Sequence, residues 1–164
     1  SGVLHCVILS IFKVFSTMNL QAASASDYPV LLQIWEDSVR ASHDFLPEAR
    51  LQALKPLLLD SYFPQVNLWL WQDAAQQRLG FVGVAAANIE MLFVQPQAQG
   101  LGIGKALLLH AIHQLGANHV DVNEQNPKAL AFYQHAGFEI TARSEQDGQG
   151  WPYPLLHMSL PTQV

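Results

Sequence analysis

The chain has 164 residues, of which 50% are hydrophobic and only 13% charged, the length and apolar content of one domain with a substantial core. This composition excludes a disordered chain, a collagen and a repeat solenoid. Eight lysines and arginines against thirteen acidic residues give a net charge of -5, which leaves too little basic surface for binding nucleic acid through its phosphates. A cationic small molecule or peptide is a more natural partner.

The start of the chain carries a short apolar segment at residues 3–15. It lacks a basic start and a cleavage site and is too short to span a membrane, so we predict neither a secretion signal nor a membrane anchor. We interpret residues 1–17 as an extension and residues 18–164 as a single domain, with Met18 as the native start. The lone cysteine, Cys6, has no partner for an internal disulfide and predicts a cytoplasmic location.

The first third of the chain predicts one short strand and two helices. After a strand-like stretch at residues 20–23, Ser26 and Asp27 form a helix cap, and apolar residues recur at helical spacing to a helix end near Ala41. A second helix is expected from Pro47 to about Phe63, and Pro56 inside it predicts a kink or a break.

The remainder predicts a sheet interrupted by two helices. Strands are expected at residues 67–71, 79–87 and 89–94, and a hairpin through residues 73–78 joins the first two. A helix at residues 103–115 ended by Gly116, a strand at 119–122, a helix at 127–136 and a final strand pair at 138–143 and 154–160 follow. The whole is typical of one α+β domain with a mixed sheet.

A glycine-rich turn separates a predicted strand from a predicted helix, in the segment Gln99-Gly100-Leu101-Gly102-Ile103-Gly104-Lys105. Glycines remove Cβ atoms and permit positive φ, and the free N–H groups of a helix N-terminus attract anions, so a diphosphate is the expected ligand. Two other phosphate motifs fail here: Ala106 stands where a Walker A loop needs Ser or Thr, and G-x-G-x-G is not the dinucleotide fingerprint. Taken alone, the segment is equally well explained as a flexible turn.

A second segment decides between these interpretations. Gln99-x-x-Gly102-x-Gly104 together with Asn126-x-x-Ala129-x-x-x-Tyr133-x-x-x-Gly137-Phe138 resembles the paired acetyl-CoA motifs of the GNAT N-acetyltransferases, and the resemblance extends from Met18 to about Leu160. The segments 38–46 and 143–155 further resemble a small bacterial branch that includes YjaB-like proteins. The resemblance implies an α+β fold with a mixed, mostly antiparallel central sheet flanked by about four helices.

The resemblance also implies acetyl-CoA as co-substrate, without a metal. In this family the fourth strand splays from the fifth, and the pantetheine arm pairs with the exposed strand edge, which places it against the backbones of Leu92, Phe93 and Val94. The pyrophosphate is expected over Gln99 to Gly104, with Lys105 at the rim. Asn126 and Ala129 complete the expected cofactor contacts.

For the chemistry, the resemblance implies that Tyr133 donates a proton to the departing CoA thiolate; a core tyrosine beside Phe132 is the structural alternative. An amine must lose a proton to attack a thioester, and Glu90, two positions before Leu92, is the first candidate to accept it. An ordinary exposed carboxylate explains Glu90 as well, and His43 with Asp44, or solvent, are the other candidates for the base.

Trp35, His43 and Phe45 are expected to shape the acceptor pocket, although burial of a helix face explains Trp35 equally well. His110 and His113 lack a third ligand and predict no metal site, and Trp69 with Trp71 are expected in the core or an interface. The sequence thus predicts a cytoplasmic acetyltransferase in which an amine of a small molecule or peptide attacks acetyl-CoA directly. It predicts no nucleic-acid or membrane partner and allows a homodimer.

Two alternatives stay open from the sequence. One is that this chain uses the fold as a non-catalytic CoA-binding sensor or interaction module. The other is that it is an enzyme that transfers a longer acyl group or uses a hydroxyl acceptor. Retention of Tyr133 weighs against the sensor.

Overall fold

The computed structural model describes residues 19–42 and 44–162, and the predicted extension, Cys6 and His43 lie outside this part of the chain. Its helices and strands, in chain order, are β1 (Leu20–Ala22), α1 (Tyr28–Ser42), α2 (Glu48–Leu57), β2 (Asn67–Gln72), β3 (Arg78–Ala85), β4 (Asn88–Val94), α3 (Ile103–Leu115), β5 (His119–Asn123), α4 (Pro127–His135), β6 (Glu139–Ser144) and β7 (Leu155–Ser159). The predicted α+β class and the order of elements are confirmed.

The seven strands form one sheet in the order β1-β2-β3-β4-β5-β7-β6. Every neighbouring pair is antiparallel except β4 and β5, which run parallel. These two strands pair at only two positions, Asn88 with His119 and Ile89 with Val120. Past these pairs the facing backbone edges of β4 and β5 are unpaired, which leaves an opening in the middle of the sheet.

Two hydrophobic clusters hold the helices on opposite faces of the sheet. Phe81 and Val82, neighbours on β3, are both fully buried and point into different clusters, as the alternation of a strand requires. Helices α3 and α4 cover the cluster around Val82, and α1 and α2 cover the cluster around Phe81. Burial of a side chain such as Phe81 contributes about 1.5–3 kcal/mol, so these two clusters fix both helical layers around the opening.

Helix α2 continues past Pro56 without a break and then changes its winding. Residues Leu58–Tyr62 form a π-helical turn directly after α2, and a 3-10 turn at Phe63–Gln65 leads to β2. Proline removes one backbone donor from the helical ladder, and a π turn is one way in which a helix absorbs such a defect. The break that the sequence allowed at Pro56 does not occur, and the change of helix type comes two residues later, at Leu58. The predicted end of the helical region near Phe63 is confirmed.

The turn between β3 and β4 differs from the sequence-based boundary. The strand was expected to reach Ala87, but Ala86 and Ala87 adopt positive φ of 48° and 64° and form the turn itself. The carbonyl of Ala87 accepts from the N–H groups of Asn118 and His119, so the turn is tied to the start of β5. Alanine rarely adopts positive φ, so the residue types gave no sign of a turn here.

The helices of the described residues are also too short or too polar to cross a bilayer.

Candidate functional site

A groove of about 430 Å³ opens beside the gap between β4 and β5. We call it the glycine-loop groove. It is bounded by the end of β4, the turn into α3, the start of α4 and one edge of α1. The residues that line it are Ser38, Ser42, Leu92, Phe93, Val94, Ala98, Gln99, Gly100, Gly102, Ile103, Gly104, Lys105, Asn126, Lys128, Ala129, Phe132 and Tyr133.

The turn into α3 presents a row of unused backbone donors to this groove. Gly100 and Gly102 have φ of 81° and 84°, and a Cβ at either position would meet no atom within 4 Å. Gly102 is the N-cap of α3 and provides no side-chain cap. Among the described residues, no acceptor is bonded to the N–H groups of residues 100–105, the first backbone donor being Ala106 to the carbonyl of Gly102. Uncapped N–H groups at a helix start form an anion site.

The third glycine of the turn has a different role from the one expected. Gly104 does not need positive φ, because it lies inside the first turn of α3. A Cβ there would sit 3.6 Å from the ring of Phe132 and 3.7 Å from Val94, two residues that line the groove. Gly104 therefore keeps the floor of the groove open.

The other residues of the turn divide between the groove and its surroundings. The side chain of Leu101 is 73% exposed and lies outside the groove, so only its backbone can contact a ligand there. Ile103 is 2% exposed and anchors the start of α3 in the core. Gln99 and Lys105 line the groove as expected, and Lys105 adds a cation at its rim.

A β-bulge lies on β4 immediately before the residues expected to bind pantetheine. Met91 pairs with Gly83 and Ile89 with Val84, so Glu90 is an extra residue on β4. Bulges re-aim side chains and are common beside active sites. Leu92, Phe93 and Val94 follow the bulge on the part of β4 that has no partner on β5, and all three line the groove.

Tyr133 projects from α4 into the groove and is also part of the core. It is 7% exposed, with its ring 5.1 Å from that of Phe132 and 5.6 Å from that of Phe138. Its hydroxyl bonds to none of the described residues. Burial raises the pKa of the Tyr133 phenol well above its ordinary value, so the phenol keeps its proton throughout the neutral range. Of the adjacent aromatic pair, Phe132 is the more exposed, which confirms that only one of them is fully buried.

Asn126 is bound to its own helix. Its side-chain Oδ1 accepts from the N–H of Ala129 at 3.1 Å and caps the first turn of α4. Pro127, which has no N–H to satisfy, occupies the first position of that helix. Both Asn126 and Ala129 line the groove, and the Oδ1 of Asn126 already has a partner in this protein.

A second cavity, of about 460 Å³, lies on the other side of β4. We call it the Glu90 cavity. It is lined by Trp35, Leu54, Leu58, Tyr62, Gln65, Val66, Ala85, Glu90, Met91 and Phe93. Among the described residues, Glu90 is the only acidic one in this lining. Phe93 lines both this cavity and the glycine-loop groove, and it therefore forms part of the wall of both cavities.

The residues expected around the acceptor are only partly brought together. Trp35 is 6% exposed and lines the Glu90 cavity, so it is both a core residue and a wall of the pocket. Phe45 lies instead against the ring of Tyr153, with centroids 5.8 Å apart, and lines neither cavity. Asp44 is exposed, and His43 lies outside the described residues.

The loop between β6 and β7 reaches the rim of the Glu90 cavity. The side chain of Gln149 contacts the hydroxyl of Tyr62, which lines the cavity, and the guanidinium of Arg50. Arg50 also stacks over Trp151 at 4.4 Å from the ring centroid. These contacts hold the loop across the start of α2 and beside the cavity.

Several residues of the groove were not predicted from the sequence. Lys128 lies two positions after Asn126, in the first turn of α4. A cation at the start of a helix next to the expected cofactor contacts was the available signal for it. Ser38 and Ser42, from α1, and Phe132 have no sequence signal beyond helical spacing, because only the packing of α1 against the end of β4 brings the serines to the groove.

The remaining polar clusters do not resemble a metal centre. The described part of the chain holds no group of three His, Cys, Asp or Glu side chains suited to a metal ion. His110 packs against Trp69 with ring centroids 4.3 Å apart, and burial lowers the pKa of its imidazole.

Comparison with known proteins identifies the family. The family model described as "Acetyltransferase (GNAT) domain" matches residues 49–160. The chain belongs to the GNAT acetyltransferases. It is 37% identical over 144 residues to the peptidyl-lysine N-acetyltransferase YjaB of Salmonella typhimurium, which covers 88% of this chain and 99% of that protein. It is 38% identical to YjaB of Escherichia coli over 129 residues, covering 79% of this chain and 87% of that one.

Solved structures agree with this GNAT assignment. The apo form of YjaB from Escherichia coli superimposes with a TM-score of 0.78 at 34% identity and covers 88% of this chain and 97% of that one. The PaiA N-acetyltransferase of Thermoplasma acidophilum, solved in complex with coenzyme A, shares the fold with a TM-score of 0.65 at 20% identity, over 87% of this chain and 98% of that one. The expected GNAT, YjaB-like membership is confirmed, and the chain is an N-acetyltransferase that uses acetyl-CoA.

Proposed function

We propose that this acetyltransferase modifies the side-chain amine of a lysine in a peptide or protein, by direct attack on acetyl-CoA with both substrates bound. The proposal rests on two cavities that share Phe93 as part of their walls, one rich in backbone donors and the other mostly apolar with a single carboxylate. Two substrates that enter from opposite sides of β4 would bring their reacting atoms together at that point. Holding both in place removes much of the entropic barrier of a bimolecular reaction.

The glycine-loop groove suits the acyl donor. The unused N–H groups of residues 100–105 would bind the diphosphate, and Lys105 and Lys128 would add positive charge around it. The unpaired edge of β4 after the bulge at Glu90 would pair with the amides of the pantetheine arm. Leu92, Phe93 and Val94 would lie along that arm.

The Glu90 cavity suits a lysine side chain. Its walls are mostly apolar or aromatic and would cover the methylene stem, and Glu90 would attract the amine at the end. The two YjaB proteins reported above are named as peptidyl-lysine N-acetyltransferases, which supports the same acceptor. The neighbouring loop between β6 and β7, held by Gln149 and Arg50, would contact the peptide outside the cavity.

The chemical step needs one proton removed and one supplied. A lysine amine has an ordinary pKa of about 10.4 and must lose a proton before its lone pair attacks the thioester carbonyl. Glu90, directly or through a water, would take that proton. A backbone N–H near the bulge on β4 would stabilise the oxygen of the tetrahedral intermediate. Tyr133, kept protonated by burial, would donate its proton to the thiolate of CoA as the C–S bond breaks.

Release of free CoA thiol across a peptide panel tests this function. Acetyl-CoA is mixed with a lysine peptide whose N-terminus is blocked, with the same peptide carrying arginine in place of lysine, and with a free polyamine. We expect thiol release and a mass increase of one acetyl group on the lysine peptide alone. Turnover on the polyamine with none on the lysine peptide would contradict the proposed acceptor while leaving the acetyltransferase activity intact.

Replacement of Glu90 separates the candidates for the base. Glu90→Gln keeps the shape of the side chain and removes its capacity to accept a proton, so we expect the pH–rate profile to lose or shift its acidic limb. A profile identical to that of the unmodified enzyme would assign proton removal to His43 or to solvent. We also propose a cytoplasmic location, which the lone cysteine supports. A homodimer stays a prediction.

A further inference from the structure

Three polar side chains form a hydrogen-bonded chain on the sheet, separate from both cavities. Ser144 Oγ, on β6, lies 2.6 Å from Nε2 of His157, on β7. Nδ1 of the same imidazole lies 2.6 Å from Oδ1 of Asp121, on β5. None of the three lines the glycine-loop groove or the Glu90 cavity, so acetyl transfer as described above does not use them.

The strand register explains why the three side chains meet. Asp121 is directly opposite His157, and Ser144 is opposite Leu155, two residues away from His157 on β7. Directly opposite and diagonal neighbours on one face of an antiparallel sheet lie within reach of each other's side chains. The flanking residues Val122 and Leu156 are buried, which leaves the polar set on the opposite, open face.

The hydrogen bonds give each group a defined role. The Asp121 carboxylate can only accept, so Nδ1 of the neutral imidazole carries the proton, and Nε2 is left to accept from the Ser144 hydroxyl. A hydroxyl bonded to a base, which is in turn oriented by a third group, is the arrangement that activates a nucleophile.

The site is open to small molecules. The side chains of His157 and Asp121 are 33% and 44% exposed, and Ser144 is half-buried beside them. A reagent can therefore approach the Ser144 oxygen from solvent without entering the acetyl-CoA groove.

We propose that Ser144 is a second reactive centre, a nucleophile that accepts acyl groups from small activated carboxylic esters and thioesters. The Ser144 oxygen attacks the acyl carbonyl while its proton moves to Nε2 of His157. The bond from the carbonyl carbon to the leaving group then breaks, and the imidazolium returns the proton to the departing alkoxide or thiolate. Water, deprotonated by the same imidazole, hydrolyses the acyl-serine to a carboxylic acid and restores the Ser144 hydroxyl.

The test uses the full chain and p-nitrophenyl acetate as the probe. We expect a stoichiometric burst of p-nitrophenolate, a mass increase of one acetyl group and peptide mapping of that group to Ser144. Ser144→Ala abolishes the labelling, and His157→Gln slows it about tenfold or more because the base is lost. Asp121→Asn slows it as well, because the group that holds the Nδ1 proton is removed.

The matched control is Ser159→Ala. Ser159 lies on β7 together with His157, but no hydrogen bond joins its side-chain hydroxyl to a histidine of the described residues, so its loss leaves the burst unchanged. Far-ultraviolet circular dichroism and the melting temperature show whether each variant is folded. Should His157→Gln not fold, the proton on Nδ1 and the unprotonated Nε2 of His157 are read from nitrogen NMR shifts of the unmodified chain. Absence of a burst, or acetyl mapped to Cys6 or to a lysine, overturns the proposal, as does an Nε2-protonated imidazole.

Discussion

Helices α3 and α4 both begin at the rim of the glycine-loop groove, yet their first turns are built in opposite ways. Gly102 starts α3 in the left-handed conformation and offers no cap, and the N–H groups of residues 100–105 have no hydrogen-bond partner in the part of the chain that the structure describes. Asn126 starts α4 and bonds its own side chain to the N–H of Ala129. A cap of this kind stabilises a helix by about 1 kcal/mol, and α3 lacks this stabilisation. If the groove binds coenzyme A as proposed, the difference predicts that α3 contributes backbone donors to the ligand and α4 contributes side chains.

We expect the strongest loss of activity from a change on α4, at Tyr133. Tyr133→Phe removes the proposed proton donor and little else, because the ring and its contacts with Phe132 and Phe138 are kept. We expect kcat to fall about 100-fold or more with little change in the Kd for acetyl-CoA. Because burial raises the phenol pKa, the unmodified enzyme should show no loss of activity from this group up to pH 10. Unchanged kcat in steady-state assays would remove Tyr133 from the mechanism.

The next effect concerns the backbone of α3. Gly104→Ala adds a Cβ that makes ordinary contacts at 3.6 and 3.7 Å in the free protein, and alanine favours a helix over glycine by about 1 kcal/mol. We expect an equal or higher Tm together with about tenfold weaker binding of coenzyme A, because the Cβ occupies the floor of the groove.

Gly148→Ala is the control for that comparison, since its Cβ enters open space away from the groove. It should leave the Kd for coenzyme A unchanged in calorimetric titrations. Full affinity in Gly104→Ala would mean that the ligand does not approach this part of α3.

A smaller effect tests the capped helix. Asn126→Ala removes the acceptor for the N–H of Ala129 and should destabilise the fold by about 1 kcal/mol, visible as a lower Tm. If Asn126 acts mainly as a cap, the Tm falls more clearly than the affinity for coenzyme A. A large loss of affinity with an unchanged Tm would instead show that its side chain serves the ligand.

The smallest effect is electrostatic. Lys128→Ala removes one cation from the groove-facing side of α4, and we expect about two- to fivefold weaker binding of coenzyme A. Because salt screens such interactions, the difference from the unmodified enzyme should shrink as ionic strength rises. A difference that persists at high salt would indicate a direct contact that charge does not explain.

The sequence predicted most helices and strands of this protein but not all of its turns. Hydrophobic periodicity predicted the four α-helices and most of the strands of the described residues, because these elements bury apolar side chains in one of the two hydrophobic clusters. It missed the turn at Ala86 and Ala87, where the chain adopts a conformation that alanine rarely takes. The π-helical turn after Pro56 was not predicted, since the sequence indicated only a kink or a break at that proline.

In the candidate site, short sequence motifs predicted only the features that depend on neighbouring residues in the chain. The glycines before α3 predicted an open helix start, because the missing Cβ and the missing cap are properties of the chain itself. The places of Lys128, Ser38 and Ser42 depend on how α1 and α4 pack around β4. The position of Phe45 likewise depends on long-range packing, because its ring lies against Tyr153 and not in the Glu90 cavity.

The proposed function depends above all on the N–H groups at the start of α3, which we expect to bind the diphosphate of coenzyme A. Backbone amide shifts and hydrogen exchange, followed by NMR during titration with coenzyme A, test it most directly. We expect the amides of residues 100–105 to shift and become protected, and the amide of Ala129, already bonded to Asn126, to change least. Saturable binding that leaves the amides of residues 100–105 unperturbed would contradict this expectation.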